Sequence, residues 1–155
     1  MRHLVIALSA LIVGCASDDR PTPRHVDPAE ATRLLIDRNW IDRLPETPQD
    51  RLHVYRFVPA MGGGVYQDRT LFKGSFELFT FEVDARTSQL RIVTPEDGRA
   101  HRTGFHIERV RGPEGTDLQL TLDDSPRGPS QYYGWSAEID QSGAQLDARL
   151  ATHAR

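Results

Sequence analysis

Leu71-Phe72-Lys73-Gly74-Ser75-Phe76-Glu77-Leu78-Phe79-Thr80-Phe81-Glu82-Val83 is the longest strand signal in the chain, and its reading decides the fold. Phe72, Phe76 and Leu78 share one parity, whereas Phe79, Phe81 and Val83 share the other. Successive side chains of a strand point to opposite faces, so one regular strand cannot bury both sets on one side. A β-bulge near Leu78-Phe79 reconciles them and bends the strand. A long bent strand of this kind is what a small closed barrel needs.

The flanking segments repeat the period of two. Leu52-His53-Val54-Tyr55-Arg56-Phe57-Val58 is apolar at alternate positions on both faces, with Arg56 as the interruption. Pro59 ends it, and Gly62-Gly63-Gly64 reads as a flexible hairpin end. Gln89–Thr94 places Leu90 and Ile92 inward, and Glu96-Asp97-Gly98 is a hairpin signal. His101–Val110 carries Phe105 and Ile107, and Asp117–Leu122 alternates through Leu118, Leu120 and Leu122. A turn-rich loop from Asp123 to Pro129 leads into Gln131–Ile139, with Tyr133 and Trp135 on one side. With Trp40–Arg43 and Gly64–Gln67, seven or eight short strands fill roughly 100 residues, the spacing of an antiparallel all-β domain. The expected architecture is a small β-barrel over 28–139; a β-sandwich is the alternative. The tail 140–155 stays open between strand, helix and disorder, because Leu146, Ala148 and Leu150 alternate while its alanines favour a helix.

Upstream, Asp27-Pro28-Ala29-Glu30 marks a helix start, with Asp27 as cap and Glu30 at the capping-box position. Ala31, Leu34 and Leu35 face inward, and the helix stops near Arg38 and Asn39. Residues 15–27 carry Asp18, Asp19, Pro21 and Pro23, a composition that suits a flexible tether. Leu4–Val13 is almost wholly apolar, the length of a signal-peptide core and too short to span a bilayer. Ile12-Val13-Gly14-Cys15 closes it with the only cysteine of the chain. This leader resembles that of bacterial lipoproteins, whose lipobox places an aliphatic residue, a tolerant position and a small residue before cysteine. The resemblance implies that residues 1–14 are a signal peptide, that Cys15 is acylated, and that the membrane is the protein's first partner. Ala16 follows where aspartate favours inner-membrane retention in enterobacterial lipoproteins, so the resemblance points to the outer membrane.

A short helical entry, then Trp40, then a meander of strands is also similar to the lipocalin and calycin barrels. Asn39-Trp40 stands where that group has glycine, any residue and tryptophan; Arg38 occupies the glycine's place. The resemblance implies a lipocalin-like barrel.

Composition narrows the chemistry. Loss of Arg2 with the leader takes the formal charge from −3 to −4, which gives no support for nucleic-acid binding. A single cysteine excludes an internal disulfide. Lys73 is the single lysine among many arginines. His101 and His106 lie five apart, on opposite faces of a regular strand, and no zinc-type spacing occurs, so no metal or other cofactor is expected. Gly74-Ser75 lacks the nucleophile-elbow pattern, since Lys73 and Glu77 flank it. Glu77 and Glu82 are candidates for a hydrolase pair by their proximity in sequence alone, and Glu77 is expected to face water, while Asp123-Asp124 beside its proline turn reads as loop chemistry. No catalytic constellation emerges.

The expected function is therefore binding, by an envelope lipoprotein. Phe76, Phe81 and Phe105 would line the barrel for a small apolar ligand, with Arg56 at its mouth or paired with Glu77 or Glu82. Tyr132, Tyr133 and Trp135 would offer a rim for an envelope protein partner. A structural accessory with a solid core is the alternative, and a hydrolase of envelope polymers a third.

Overall fold

The structure, a computed structural model, describes residues 22–96 and 98–153. The leader, Cys15 and most of the expected tether lie outside the described residues, as does Asp97 of the hairpin signal. Strand β1, Arg24–His25, already pairs with the sheet, opposite Arg109 and Glu108, and Val26 behind it is buried. The tether expectation over 15–27 thus runs too far, because these residues add an edge strand to the barrel.

Helix α1, Pro28–Leu35, starts as its sequence dictates. The Asp27 carboxylate accepts from the amides of Ala29 (3.0 Å) and Glu30 (3.1 Å), and Pro28 occupies the first turn. Glu30 does not close a capping box; it turns to Arg109 at 2.6 Å. The helix ends at Leu35, before Arg38, because Ile36 is extended and Asp37 is left-handed (φ 53°).

Eight strands then follow in simple order: β2 Asn39–Ile41, β3 Leu52–Val58, β4 Gly63–Arg69, β5 Gly74–Asp84, β6 Gln89–Val93, β7 Ala100–Arg109, β8 Leu118–Leu122 and β9 Gln131–Gly134. Each pairs antiparallel with the next, and β9 returns to β2 through Ile41 and Tyr133. The sheet is a closed eight-stranded antiparallel barrel, not a sandwich. Closure removes the free edges that an open sheet would present. One barrel end carries the 42–51, 70–73 and 123–130 connections. The other carries α1 and the 59–62, 85–88 and 110–117 connections, with β1 beside it.

The bulge expected in β5 is absent. Residues 74–79 pair with β4 and residues 80–84 with β6 in one unbroken parity. Phe79, Phe81 and Val83 face the core, while Phe76 and Leu78 face outward. The strand bends where it passes from one neighbour to the other, so no extra residue is required.

Two apolar clusters result. The interior holds Trp40, Tyr55, Phe57, Phe79, Phe105 and the leucines of β8, closed at the second end by Ala31 and Leu35. Trp40 Nε1 donates to the Leu35 carbonyl at 3.0 Å, which ties α1 to the barrel. The tail resolves as helix α2, Ala144–His153, lying on the outside of β2 and β3. Leu146 and Leu150, four apart on one helical face, pack on Ile41, Leu52, Val54 and Trp135. No helix among the described residues is long and apolar enough to cross a membrane.

Candidate functional site

The barrel interior is filled by contacting rings. Tyr55 lies 5.7 Å from Phe57, 5.8 Å from Phe79 and 5.2 Å from Tyr132, centroid to centroid, and Phe57 lies 5.2 Å from Phe81. These are the separations of packed aromatic pairs. Phe81 and Phe105 belong to this core, but Phe76 is on the outer wall, so the three phenylalanines do not line one cavity. Arg56 is outward as well. It is buried, pairs with neither Glu77 nor Glu82, and donates to the carbonyls of Asp140 (3.0 Å) and Gln141.

Inward parity also gathers polar groups at the first end of the barrel. Tyr66 and His53 Nδ1 share a hydrogen bond of 2.7 Å, with Asp68 beyond at 4.0 Å from the imidazole and paired to Arg51. Glu77 faces this mouth rather than open water and accepts from Arg127 Nε at 2.7 Å. Both Tyr55 and Tyr132 donate to the Arg127 carbonyl, at 3.3 and 3.2 Å. The 123–130 loop caps the mouth. At Gly128 (φ 65°) an added Cβ would fall 2.8 Å from the hydroxyls of both Tyr66 and Tyr132, so the loop fits only as glycine.

This network is internally satisfied, and its chemistry is that of a seal. Burial pushes the Tyr66 phenol up to about 12, with Asp68, Asp42 and Glu77 adding to it. Burial likewise raises the phenols of Tyr55 and Tyr132. A phenol that ionises less readily when folded stabilises the fold fully below its ordinary value near 10 and loses that contribution as pH rises through the folded value. Three of the four tyrosines are therefore expected to ionise together with unfolding above pH ~10. In a Tyr133→Phe background, absorbance at 295 nm and far-UV circular dichroism should move as one transition; phenolate appearing there in a still-folded barrel would contradict the seal.

Other candidates separate. Glu82 faces outward towards Arg91 (3.5 Å), on the opposite side of β5 from Glu77, so the two acids cannot flank a common bond. His101 contacts the Asp124 carbonyl at 2.8 Å, whereas His106 approaches Asp123 at 3.8 Å. No group of three or more metal-ligating side chains occurs among the described residues. The expected recognition rim is part of the wall: Tyr132 points inward, Tyr133 is half-buried and Trp135 is covered by α2, with the Arg149 guanidinium 4.0 Å over its ring.

The open feature is on the outer wall of β4 and β5. Val65, Gln67 and Arg69 of β4 and Phe76 and Leu78 of β5 floor a groove of about 470 Å³, which starts at the Leu71-Phe72-Lys73 hairpin tip. A second hollow of about 250 Å³ continues it past Met61 and Gly63 to Pro95. Phe72 is 76% exposed, Phe76 69%, Met61 64% and Leu78 54%, which puts four of the five exposed large hydrophobic side chains among the described residues on this one wall. Isolated exposed apolar residues are ordinary; a contiguous stripe marks an interaction site. The groove lining includes Arg56, Arg69 and Lys73 and no carboxylate. A strand apolar on both parities was the available signal, because the interior needs only one of them.

Comparison with family models, with curated proteins and with solved structures finds no match to this chain.

Proposed function

We propose that the chain is an outer-membrane lipoprotein, held through acylated Cys15, whose barrel is a binding module that works from its outer wall. The observation that carries this reading is the pairing of a ring-filled interior with an exposed apolar stripe on β5 and the turns at the two ends of β4. A solid barrel gives a rigid, convex support, and the stripe supplies the apolar area that binding needs. The lipobox leader supplies the address.

Two measurements test it. Cys15→Ser is expected to abolish incorporation of labelled palmitate and to leave unprocessed precursor; label entering the variant would overturn the anchor. A photo-crosslinking phenylalanine analogue at position 76 is expected to form an adduct in the native envelope. The same analogue at Thr121, on the opposite wall, should form none. Silence at position 76 would favour the accessory reading, which the filled interior also supports.

A further inference from the structure

We infer that the occupant of the β4–β5 wall is the surface of an anionic phospholipid bilayer, on which the barrel lies sideways. The inference rests on the reading that this wall is the binding face. Phe72 stands at the tip of the β4–β5 hairpin and Met61 in the turn at the other barrel end, with Phe76 and Leu78 between them. The stripe thus runs the length of the wall. On a convex barrel that is a line of contact suited to a plane, and bulky apolar side chains flanked by cations are the composition of interfacial anchors.

Charge selects the kind of plane. The chain is acidic overall, at −3, yet the groove lining carries only cations. Arg69 is bridged to Asp147 at 2.8 Å, whereas Lys73, the sole lysine, has no ion partner among the described residues and sits exposed beside Phe72. A flexible ammonium next to a projecting phenylalanine can hold a headgroup phosphate while the ring enters the acyl boundary. The attachment point is compatible. Arg24 lies at the Met61 end of the barrel, and nine positions separate it from Cys15, a reach of up to about 30 Å. That length lets an anchor on Cys15 share the plane that touches the wall.

The test uses the full-length protein reconstituted in vesicles whose phosphatidylglycerol and phosphatidylcholine carry brominated acyl chains. Bromine quenches a tryptophan only on contact, and the native Trp40 and Trp135 are 0% and 8% exposed. Phe72→Trp is expected to lose most of its added emission and Thr121→Trp none. Lys73→Glu in the Phe72→Trp background, or vesicles of phosphatidylcholine alone, should restore emission. Equal quenching at both positions, or none at position 72, overturns the inference, as does quenching indifferent to Lys73 and to lipid charge. A parent protein that does not float with the vesicles overturns it too. An adduct at position 76 to a protein, with Phe72→Trp unquenched, would leave the binding wall standing and assign it to a protein partner.

Discussion

Asp140→Ala is expected to lower the melting temperature by about 10 °C, through a loss of about 3 kcal/mol, and to release α2 from the barrel. The side chain is 2% exposed and holds the start of that helix. One carboxylate oxygen accepts from the amides of Gln145 and Leu146, both at 3.1 Å; the other accepts from Gly143 N at 2.8 Å and Ser142 Oγ at 3.2 Å. Asn39 Nδ2 donates across the barrel wall, at 2.9 Å, to the same oxygen as Gln145 and Leu146. Alanine leaves the buried Leu146 amide without its acceptor and Asn39 Nδ2 with only its bond to Glu138 at 3.1 Å, and a buried donor left unpaired costs more than its bond contributes. Once α2 detaches, Leu146 and Leu150 no longer cover Ile41, Leu52 and Val54. Thermal melts by circular dichroism at pH 7 check this, and a melting point within about 2 °C of the parent would show that α2 is held by its apolar face alone.

The same carboxylate has a pH signature. Desolvation pushes its pKa up, but the bonds from Asn39, Leu146, Gly143 and Ser142 outweigh that and hold it below the usual carboxylate value. A depressed folded value means that its contribution is present above the unfolded pKa near 4 and is lost as pH falls through the folded one. Asp140→Asn should be less stable than the parent at neutral pH and should lose part of its acid sensitivity.

The strands and α1 were legible because their signals are local. Alternation marks β3, β6 and β8, and Asp27 and Pro28 mark the helix start. What escaped was set by partners distant in sequence. Leu146 and Leu150 read equally as strand or helix until the outer face of β2 and β3 offers a surface that two leucines four apart can cover. Arg56 interrupts an apolar face, and its carbonyl partners come from the 140–141 turn, some 85 positions away. Glu77 was expected in water, and Arg127 from the capping loop draws it to the mouth. The groove is hidden in sequence because a strand apolar on both parities reads as one bulged to bury them all, whereas β5 keeps a single parity and leaves Phe76 and Leu78 exposed.

Gly63→Val is expected to cost about 4 kcal/mol or more, a large share of the stability of a domain this size, and to leave the chain largely unfolded under mild denaturant. The glycine triplet reads as a flexible turn, yet Gly63 and Gly64 lie in β4 and only Gly62 is in the turn. A Cβ on Gly63 would fall 2.1 Å from the Phe79 carbonyl oxygen, a backbone atom fixed in the strand ladder. One on Gly64 would fall 2.4 Å from the Phe79 ring and 2.5 Å from the Arg56 carbonyl oxygen. Phe79 is the residue at which β5 leaves β4 for β6, so the missing side chains are what let the strand bend there. Gly62 provides the contrast within the same triplet: it is left-handed (φ 77°) and nothing lies within 4 Å of its added Cβ. Gly62→Asn should stay within about 1 kcal/mol of the parent, because asparagine tolerates that conformation. Urea titrations of the two variants decide the matter, and a Gly63→Val midpoint equal to the parent's would mean that β5 has another way to turn. The bend sets the site as well as the fold. It carries Phe79 and Phe81 inward while Phe76 and Leu78 stay on the outer wall, so a variant that survives with a straightened β5 should lose the groove together with the core.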